Sequence, residues 1–552
     1  MRVVKYEDLA GHLASGNDFI VELGEQKGIG SSSLIIRKCG KTILIDRGIA
    51  FEGTGVDKLT TFPVGGNLEG IFIDLMIFTH VHADHAGLIV PTVLAHEESR
   101  VVFSEKTLEE LKIVLADSLS IQRKEAKKAY LSGLPAPAAM FSEDDVSTFM
   151  ARVKAGYYEV VNTDEEDVWI TWEDWPDWDF GFTFSGHTTG SFISCIKTPD
   201  GDGIVATGDV SGHNQETTQG VKTLSKSFLE MADFRKCRRI ILITEATNGN
   251  RNLTESQEAM DARLKTVLAE TERKGGNALL PVFMVNRGPN IVAKLVRLGF
   301  KVFVAGGVRK TLAVEVGTEI VKRWKADGTV MFIENWPNYT NQIRTAARGE
   351  YGFRPIVTSS ATLDQGAGVD FAIEMLPVPE NVLISTGHRF DGSAMKEFFE
   401  IKNKPIGPGH TIVLNTTDAG GRQVKRTVNI RCGGYHFDYS AHSDRGELAT
   451  FANRINPSVV FIKHCTKDGF HGLESALRSE LEEKCPPINW ARHLHLFELW
   501  FGTCNAQAPC HLTRGFFCAI ICTRRSYGET DRFSTDFYEV RRGVPWSGRS
   551  AL

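Results

Sequence analysis

The sequence predicts an α/β protein, and two observations support this class. Short apolar, β-branched runs recur along the chain and each stops at a polar residue, as buried strands do. Helical patterns lie between these runs, such as 255–274, which is opened by a capping box of Thr254 and Gln257. The composition is that of an ordinary globular protein, with 42% hydrophobic and 24% charged residues, and 552 residues predict two to four domains. Alternation of strand and helix is typical of α/β architecture.

Five of the apolar runs deliver a polar side chain at their end. They are residues 42–45 before Asp46, 75–79 before His80, 204–208 before Asp209, 240–244 before Glu245 and 459–463 before His464. In open α/β sheets, sites gather where strands end and loops begin. We therefore expect these distant positions to converge on one cleft.

Composition and charge limit the classes of function. No run approaches the roughly 18 to 20 apolar residues of a membrane span, and residues 1–8 lack an apolar signal segment. These features predict a soluble, cytoplasmic protein without membrane contact. The net charge of −5 means that a nucleic-acid substrate would need a local basic groove or bound metals. Six scattered cysteines suit free thiols in a reducing compartment.

Three further segments bear on domain organisation. A second strand-helix series from about 275 to 390 has no metal-type cluster and predicts an inserted domain. Four tryptophans between Asp164 and Asp179 lie among acidic residues, which would repel phosphates, so we expect them to pack in a loop or edge strand. The tail after Leu499 lacks a clear period. Its cysteines are not spaced like those of zinc modules, and this favours an extension over a zinc knuckle: Cys504, Cys510, Cys518 and Cys522.

The segment 80–85, His-Val-His-Ala-Asp-His, carries the strongest chemical signal. Side chains alternate in an extended segment, so His80 and His82 point the same way and can hold one ion. Asp84 and His85 follow as the chain turns into a helix, and they can reach a second ion. Imidazole and carboxylate groups suit zinc and similar borderline ions, with Mn²⁺ or Mg²⁺ as alternatives. The segment therefore predicts a dinuclear metal site and a hydrolytic reaction.

Two metals need more ligands than one segment supplies. His187, in Ser-Gly-His-Thr-Thr-Gly, and Asp209, in Thr-Gly-Asp-Val, are the best candidates because they stand at a tight turn and at a strand end. Each signal is weak alone, since a lone histidine or a Gly-Asp turn is more often structural. Together with the first segment they become candidate ligands.

The order of these residues resembles a known family. Asp46, the segment 80–85, His187 and Asp209 match motifs one to four of the metallo-β-lactamase superfamily. Downstream, three residues resemble motifs A, B and C of its β-CASP nucleases: Glu245, His442 and His464. Residues 281–288 and 387–393 also resemble two turns of that family. The sequence departs from the family pattern at Asn248, Arg389 and Asp391, and it lacks the glycine that usually follows motif C.

This resemblance implies a fold, a domain division and ligand roles. The fold would be a metallo-β-lactamase αββα sandwich (1–245 and 401–500) with an inserted α/β β-CASP domain (246–400) and a C-terminal extension (501–552). One zinc would be held by His80, His82 and His187, and the other by Asp84, His85 and His464. Asp209 would bridge the two ions, and Asp46 would orient a ligand by hydrogen bonding.

The resemblance also implies a reaction on phosphodiesters. A hydroxide would attack phosphorus while the metals neutralise the developing charge. Asp84, Asp209, Glu245 and His442 would be the catalytic residues, with His442, poised by Glu245, protonating the leaving oxygen. Phosphate contacts are predicted at Ser359, Ser360, Arg389 and Ser440.

A histidine at motif C is associated with RNA-cleaving members of this family, such as ribonuclease J and the pre-mRNA 3′-end endonucleases. His464 therefore favours a zinc-dependent ribonuclease acting on single-stranded RNA, with a homodimer or an RNA-processing complex as its assembly. A simpler reading is that His464 only ends a strand and that His471 is the ligand. The alternatives for function are a DNA nuclease, a hydrolase of a small ester, thioester or lactam, and a catalytically silent scaffold.

Overall fold

Two sheets packed face to face carry the beginning and the end of the described chain. The computed structural model describes residues 2–499 apart from 26–27, 53–58, 132, 134, 335–338, 404–409 and 418–421. The predicted extension at 501–552, with its four cysteines, lies outside these residues. The first sheet has the strand order β1-β25-β2-β3-β4-β7-β8-β9: β1 (Arg2–Val3), β2 (Phe19–Glu22), β3 (Leu34–Lys38), β4 (Lys41–Ile45), β7 (Leu75–Ile77), β8 (Arg100–Ser104), β9 (Glu159–Val161) and β25 (His495–Glu498).

The second sheet has seven strands in the order β10-β11-β12-β13-β14-β23-β24. In this sheet the neighbours β13, β14, β23 and β24 are parallel. In the first sheet the neighbours β4, β7, β8 and β9 are parallel. A small hairpin of β5 (Ala50–Glu52) and β6 (Leu59–Thr61) stands beside these sheets. The strands of the second sheet are β10 (Val168–Ile170), β11 (Asp179–Phe184), β12 (Phe192–Lys197), β13 (Asp202–Ala206), β14 (Arg239–Glu245), β23 (Val459–Lys463) and β24 (Ile488–Trp490).

Apolar side chains from both sheets fill the space between them. Ile36 and Ile45 of the first sheet belong to the same buried cluster as Phe182 and Ile204 of the second. The tryptophan segment also packs here, because Trp172, Trp175 and Trp178 are all buried in this cluster, whose burial removes apolar surface from water.

Helices cover both outer faces of the sandwich. On the first sheet they are α1 (Tyr6–Ala14), α2 (Ala83–Ala86), α3 (Ile89–Ala95), α4 (Glu105–Leu131) and α5 (Glu143–Lys154). On the second sheet they are α6 (Lys226–Met231), α14 (Arg445–Ile455) and α15 (Lys467–Leu481). The predicted αββα sandwich is therefore confirmed.

A third sheet lies between β14 and β23 in the sequence and has the order β17-β16-β18-β15-β19-β22. All its strands are parallel, and they alternate with helices that cover both faces. The strands are β15 (Ala278–Pro281), β16 (Val302–Ala305), β17 (Val330–Phe332), β18 (Ile356–Thr358), β19 (Val382–Ser385) and β22 (Gly433–His436). A hairpin of β20 (Thr411–Thr417) and β21 (Gln423–Asn429) packs against one face.

Seven helices accompany this inserted sheet. One layer consists of α7 (Gln257–Arg273), α8 (Arg287–Arg297), α9 (Val308–Val316) and α10 (Thr318–Ala326). The other consists of α11 (Tyr339–Ala347), α12 (Ala367–Met375) and α13 (Ala394–Lys402). None of the helices described here combines the length and the apolar composition that a bilayer crossing requires.

The capping box predicted for α7 is wrong. The helix begins at Gln257 and its N-cap is Ser256, whose hydroxyl accepts a hydrogen bond from the Ala259 amide. Thr254 therefore lies outside the helix. Two hydroxyl residues stand close together here, and only the backbone conformation decides which of them caps the helix.

Polar contacts join the sandwich to the inserted half. Glu110 on α4 and Glu315 on α9 face each other as a buried, hydrogen-bonded carboxyl pair. Burial raises the pKa of Glu110 to about 8 and raises that of Glu315 as well. Thr189 donates to Glu110, and the Asn286 amide donates to Glu315. This shared interface thus favours a protonated carboxyl group at neutral pH.

Candidate metal centre

The carboxyl ends of five parallel strands converge at one edge of the sandwich. Asp46 follows β4, and His80 lies three residues beyond the end of β7. The strands β4 and β7 are parallel neighbours. In the second sheet, Asp209 follows β13, Glu245 ends β14 and His464 follows β23. The structure therefore brings the predicted strand-end residues together.

One group of ring nitrogens forms the first half of the centre. The Nδ1 atom of His82 lies 3.1 Å from Nε2 of His80 and 3.1 Å from Nε2 of His187. The Oδ2 atom of Asp209 is 3.5 Å from His187 Nε2 and 3.7 Å from His80 Nε2. His187 donates from Nδ1 to the carbonyl oxygen of Ala441 at 3.0 Å, which directs its Nε2 into the cleft.

The second half lies on the other side of Asp209. Its Oδ1 atom is 3.3 Å from Nε2 of His85 and 3.3 Å from Nδ1 of His464. Nε2 of His464 is in turn 3.3 Å from Oδ2 of Asp84. Asp84 and His85 lie on α2, whose backbone packs against Gly48: a Cβ there would stand 1.8 Å from the Asp84 carbonyl oxygen. The two oxygens of Asp209 thus face two different groups of donors.

Asp46 orients two of the histidines from behind. Its Oδ2 atom accepts from Nδ1 of His85 at 2.7 Å, which leaves Nε2 of that ring facing the cleft. The hydroxyl of Thr79 donates to Asp46 and lies 3.1 Å from Nδ1 of His80. Because the remote nitrogen of each ring has a partner, the tautomer and the ring orientation are fixed.

The protonation states of the two halves differ. Burial lowers the pKa of His80, His82 and His187, that of His82 to about 4, so these rings are neutral and keep a lone pair for a cation. Burial also acts on His464, but the carboxylates of Asp209 and Asp84 outweigh it and raise its pKa to about 9. The second half therefore favours a positive charge.

The residues present fit a bound metal. Nε2 of His85 and Oδ1 of Asp209 are buried and have no hydrogen-bond partner within the described chain, which is costly unless another group satisfies them. There are two sets of donors, and within each set the ligand atoms lie within 4.8 Å of one another. One set is His80, His82, His187 and Asp209, and the other is Asp84, His85 and His464. Imidazole and carboxylate donors of this kind are ordinary zinc ligands.

His442 and Glu245 stand beside the donors. Nδ1 of His442 lies 2.9 and 3.0 Å from the two carboxylate oxygens of Glu245 and 3.9 Å from Oδ2 of Asp209. Burial opposes the charge on His442, but the Glu245 carboxylate outweighs it and raises the pKa of the ring. The ring is 22% exposed, so a protonated His442 can reach a substrate in the cleft.

The four predicted phosphate contacts follow strands of the inserted sheet: Ser359 and Ser360 follow β18, Arg389 follows β19 and Ser440 follows β22. Ser440 lies beside His442, and its Oγ accepts from the His442 amide and from Asn248. Ser359 Oγ accepts a hydrogen bond from the backbone amide of Gly307, and the Ser360 hydroxyl is hydrogen-bonded to the Thr362 hydroxyl. Arg389 stands beyond β19, with its guanidinium 4.6 Å from the ring centroid of Phe399.

His471 is exposed on α15, where its Nδ1 lies 3.5 Å from Glu474 Oε2. His464 is the histidine that the structure places among the donors.

Sequence reasoning missed a buried charge network behind His464. Lys463 Nζ lies 3.1 Å from Glu22 and 3.2 Å from Glu25, and Glu25 accepts from the His464 amide at 2.6 Å. The only signal in the sequence was a lysine at the end of an otherwise apolar strand. Its partners stand some 440 residues earlier in the chain.

A second group that was missed fixes the His442 loop. Asn248, noted in the sequence only as a departure from the family pattern, donates to the carbonyl oxygen of His442 at 3.2 Å. Nε2 of His213 lies 2.8 Å from the Ser440 carbonyl oxygen, and its Nδ1 lies 3.0 Å from Glu447.

An αββα sandwich that gathers five histidines and two aspartates at its strand ends defines the class of metallo-β-lactamase-type proteins. Comparison with known families agrees: residues 427–485 match the Zn-dependent metallo-hydrolase RNA specificity domain.

Curated relatives match most of the chain. Endoribonuclease ysh1 of Schizosaccharomyces pombe is 22% identical over 84% of this chain and 56% of its own length. Transcription termination factor FttA of Methanothermobacter thermautotrophicus is 24% identical over 85% of this chain and 70% of its own. Cleavage and polyadenylation specificity factor 73 of Drosophila melanogaster is 22% identical over 87% and 65%. The chain thus spans 56% to 70% of the length of these relatives.

These matches confirm the predicted resemblance. The chain is a relative of the β-CASP nucleases of the metallo-β-lactamase superfamily.

Proposed function

We propose that the protein is a zinc-dependent ribonuclease that hydrolyses phosphodiester bonds of single-stranded RNA with two metal ions. The observation that carries this proposal is the position of Asp209, whose two carboxylate oxygens face two separate sets of donors. The match to an RNA specificity domain and to relatives named endoribonuclease supports RNA as the substrate.

The ligands divide into two sets with one shared member. His80, His82 and His187 would hold one ion, Asp84, His85 and His464 the other, and Asp209 both. Bound ions would supply Lewis acidity that activates water and neutralises charge on the phosphate. The chain holds the ligand rings in place through Asp46, Thr79 and the Ala441 carbonyl oxygen.

His442 would handle the proton of the leaving group. The Glu245 carboxylate accepts a hydrogen bond from Nδ1 of His442. The other ring nitrogen, Nε2, is therefore the one that would donate a proton to the leaving oxygen. Asn248 and Ser440 hold the loop that carries the ring. Phosphate contacts at Ser359, Ser360, Arg389 and Ser440 remain part of the proposal.

The proposal also includes the boundary at which the inserted domain ends. The hairpin β20-β21 contributes Ile412 and Val428 to the core of the inserted half, and β22 completes its sheet. We propose that the inserted domain ends near residue 439, beyond the position 400 that the sequence suggested.

The test is a cleavage assay with metal-loaded protein. End-labelled single-stranded RNA and matched DNA are incubated with the parent, with His82→Ala and with His442→Ala. We expect the parent to cleave RNA and both variants to lose cleavage, while metal content falls in His82→Ala and is kept in His442→Ala. Elemental analysis of the parent is expected to give two ions per chain.

His471→Ala is the matched control, since it removes an exposed histidine outside the cleft. It is expected to keep both cleavage and metal content. Intact RNA after incubation with the metal-loaded parent would reject the proposal. Cleavage of DNA alone, of a small ester alone, or of nothing would point instead to a DNA nuclease, a small-substrate hydrolase or a silent scaffold.

A further inference from the structure

Two exposed phenylalanine rings lie edge to face on the inserted half. Phe283 is 42% exposed and Phe390 is 44% exposed, and their ring centroids are 5.9 Å apart at an angle of 88°. The His388 ring stands 4.8 Å from Phe390 at the same angle. We call Phe283, His388 and Phe390 the aromatic patch. Adjacent apolar rings left in water lose the stabilisation that burial would give them.

The turns that carry the patch are held rigidly. The carbonyl oxygen of Phe283 accepts from the Gly288 amide at 3.0 Å, at the start of α8. The carbonyl oxygen of Phe390 accepts from both the amide and the hydroxyl of Ser393, which is the N-cap of α13. These bonds restrain the backbone of both turns, which lowers the entropic cost of ordering them when a ligand binds.

The surroundings of the patch are basic. Arg389 lies between His388 and Phe390 in the chain, and both it and Arg251 act electrostatically on His388. The acidic neighbours Asp391 and Asp438 are already engaged in ion pairs, with Lys396 and Arg251 respectively. Three cations, Arg251, Arg389 and Lys396, thus stand against two carboxylates, and Arg389 supplies the excess positive charge that suits a polyanion.

Arg251, which acts electrostatically on His388, also contacts a residue beside the candidate metal centre. Arg251 donates to the side-chain oxygen of Asn248 at 2.9 Å, and Asn248 donates to the carbonyl oxygen of His442. A short chain of contacts therefore links the basic surroundings of the patch to the residue that faces the leaving group.

We propose that the aromatic patch binds unpaired bases of the RNA substrate by stacking, a few nucleotides from the scissile phosphate. This inference rests on the proposed ribonuclease function. Flat, exposed rings beside an arginine are the means by which proteins hold single strands without reading their sequence. The patch thus selects unpaired over paired RNA, because bases within a duplex present no free face.

The test measures RNA binding separately from cleavage. A ten-nucleotide RNA carrying one 2-aminopurine is titrated with metal-loaded His442→Ala protein, which keeps the ligand residues. In this background Phe390→Leu and Phe283→Leu remove the ring and keep an apolar side chain. We expect each to raise the Kd about tenfold and to abolish the fluorescence change at one position of the RNA.

Three comparisons make the result specific to stacking. Phe390→Trp is expected to keep the parent affinity because it retains an aromatic face. Phe72→Leu is also expected to keep it, because Phe72 is 62% exposed but precedes the amino end of β7, whereas the metal centre lies beyond the carboxyl end of that strand. The dependence of Kd on salt should be unchanged in Phe390→Leu and reduced in Arg389→Ala, since only the arginine contacts phosphate.

Affinities within twofold of the parent for both leucine variants would overturn the inference, even if the parent cleaves RNA. Loss of self-association in Phe390→Leu without a change in RNA affinity would assign the patch to a protein contact and overturn it too. A parent that binds RNA through the patch but cleaves none would reject the proposed ribonuclease and leave the stacking inference supported.

Discussion

The metal centre and the aromatic patch are built in opposite ways. The centre gathers buried charged and imidazole groups, of which His80 is fully buried and Asp209 is 2% exposed. The patch places apolar rings in solvent on turns of the inserted half. Among the residues that the structure describes, the buried polar groups find only some of their partners, and the exposed rings are left partly open to solvent. Under the two proposals above, the sandwich carries out the chemistry and the insertion places the substrate.

Removing the shared carboxylate should have the largest effect. Asp209→Ala takes a donor from both ligand sets, so we expect cleavage to fall by about 10³-fold or more and metal content to fall below that of the parent. Asp261→Asn is the matched change in the inserted half, where Asp261 binds Lys294 and Tyr439. It should lower stability and keep the metal content, as measured by thermal melting and elemental analysis. Equal metal content in the two variants would contradict this division.

Neutralising the partner of His442 should come next. Glu245→Gln keeps a hydrogen-bonding group of the same size but removes the charge that favours protonated His442. We expect cleavage to slow by about 10²-fold. An RNA with sulphur in place of the leaving oxygen needs no proton donor, so the defect should largely disappear with it. A defect of the same size on both substrates would show that Glu245 acts in another way.

A smaller effect should follow from loosening one ligand. Thr79→Val has nearly the same shape but loses the hydroxyl between His80 and Asp46. We expect metal affinity to fall about tenfold, as measured by competition with a chelator. Thr311→Val removes a comparable buried hydroxyl from the inserted half, where it donates to the Met284 carbonyl oxygen. Metal affinity should be unchanged in Thr311→Val. If both substitutions weaken metal binding, the cause would be a general loss of structural order and not the loss of the hydrogen bond to His80.

The last expected effect is on stability and concerns the join between the two halves. Glu110 and Glu315 have pKa values raised above the ordinary 4.5, so the folded protein holds protons that the unfolded chain releases. Their stabilisation is complete below pH 4.5 and is lost as the pH rises through about 8, by at most about 1.4 kcal/mol per pH unit for each proton. The double variant Glu110→Gln, Glu315→Gln should flatten this slope in urea unfolding at several pH values. An unchanged slope would contradict a shared proton.

The sequence alone determined the fold class and the candidate ligands. The metal ligands in the segment 80–85 could be predicted because their spacing is local. The strands before Asp46, Asp209 and His464 could be predicted because buried parallel strands are continuously apolar. The order of these signals along the chain supplied the resemblance that the comparisons confirm. Strand ends converge by topology, so their approach could be predicted without coordinates.

Only the tertiary structure decided which groups surround the ligands. Glu25 and Lys463 meet from opposite ends of the chain, and Glu110 meets Glu315 across the join, with no local pattern to announce either contact. The exposure of Phe283 and Phe390 was equally hidden, because an apolar residue in a sequence is ordinarily expected to be buried. Contacts between residues distant in sequence depend on how whole sheets and helices pack, and periodicity does not record that packing.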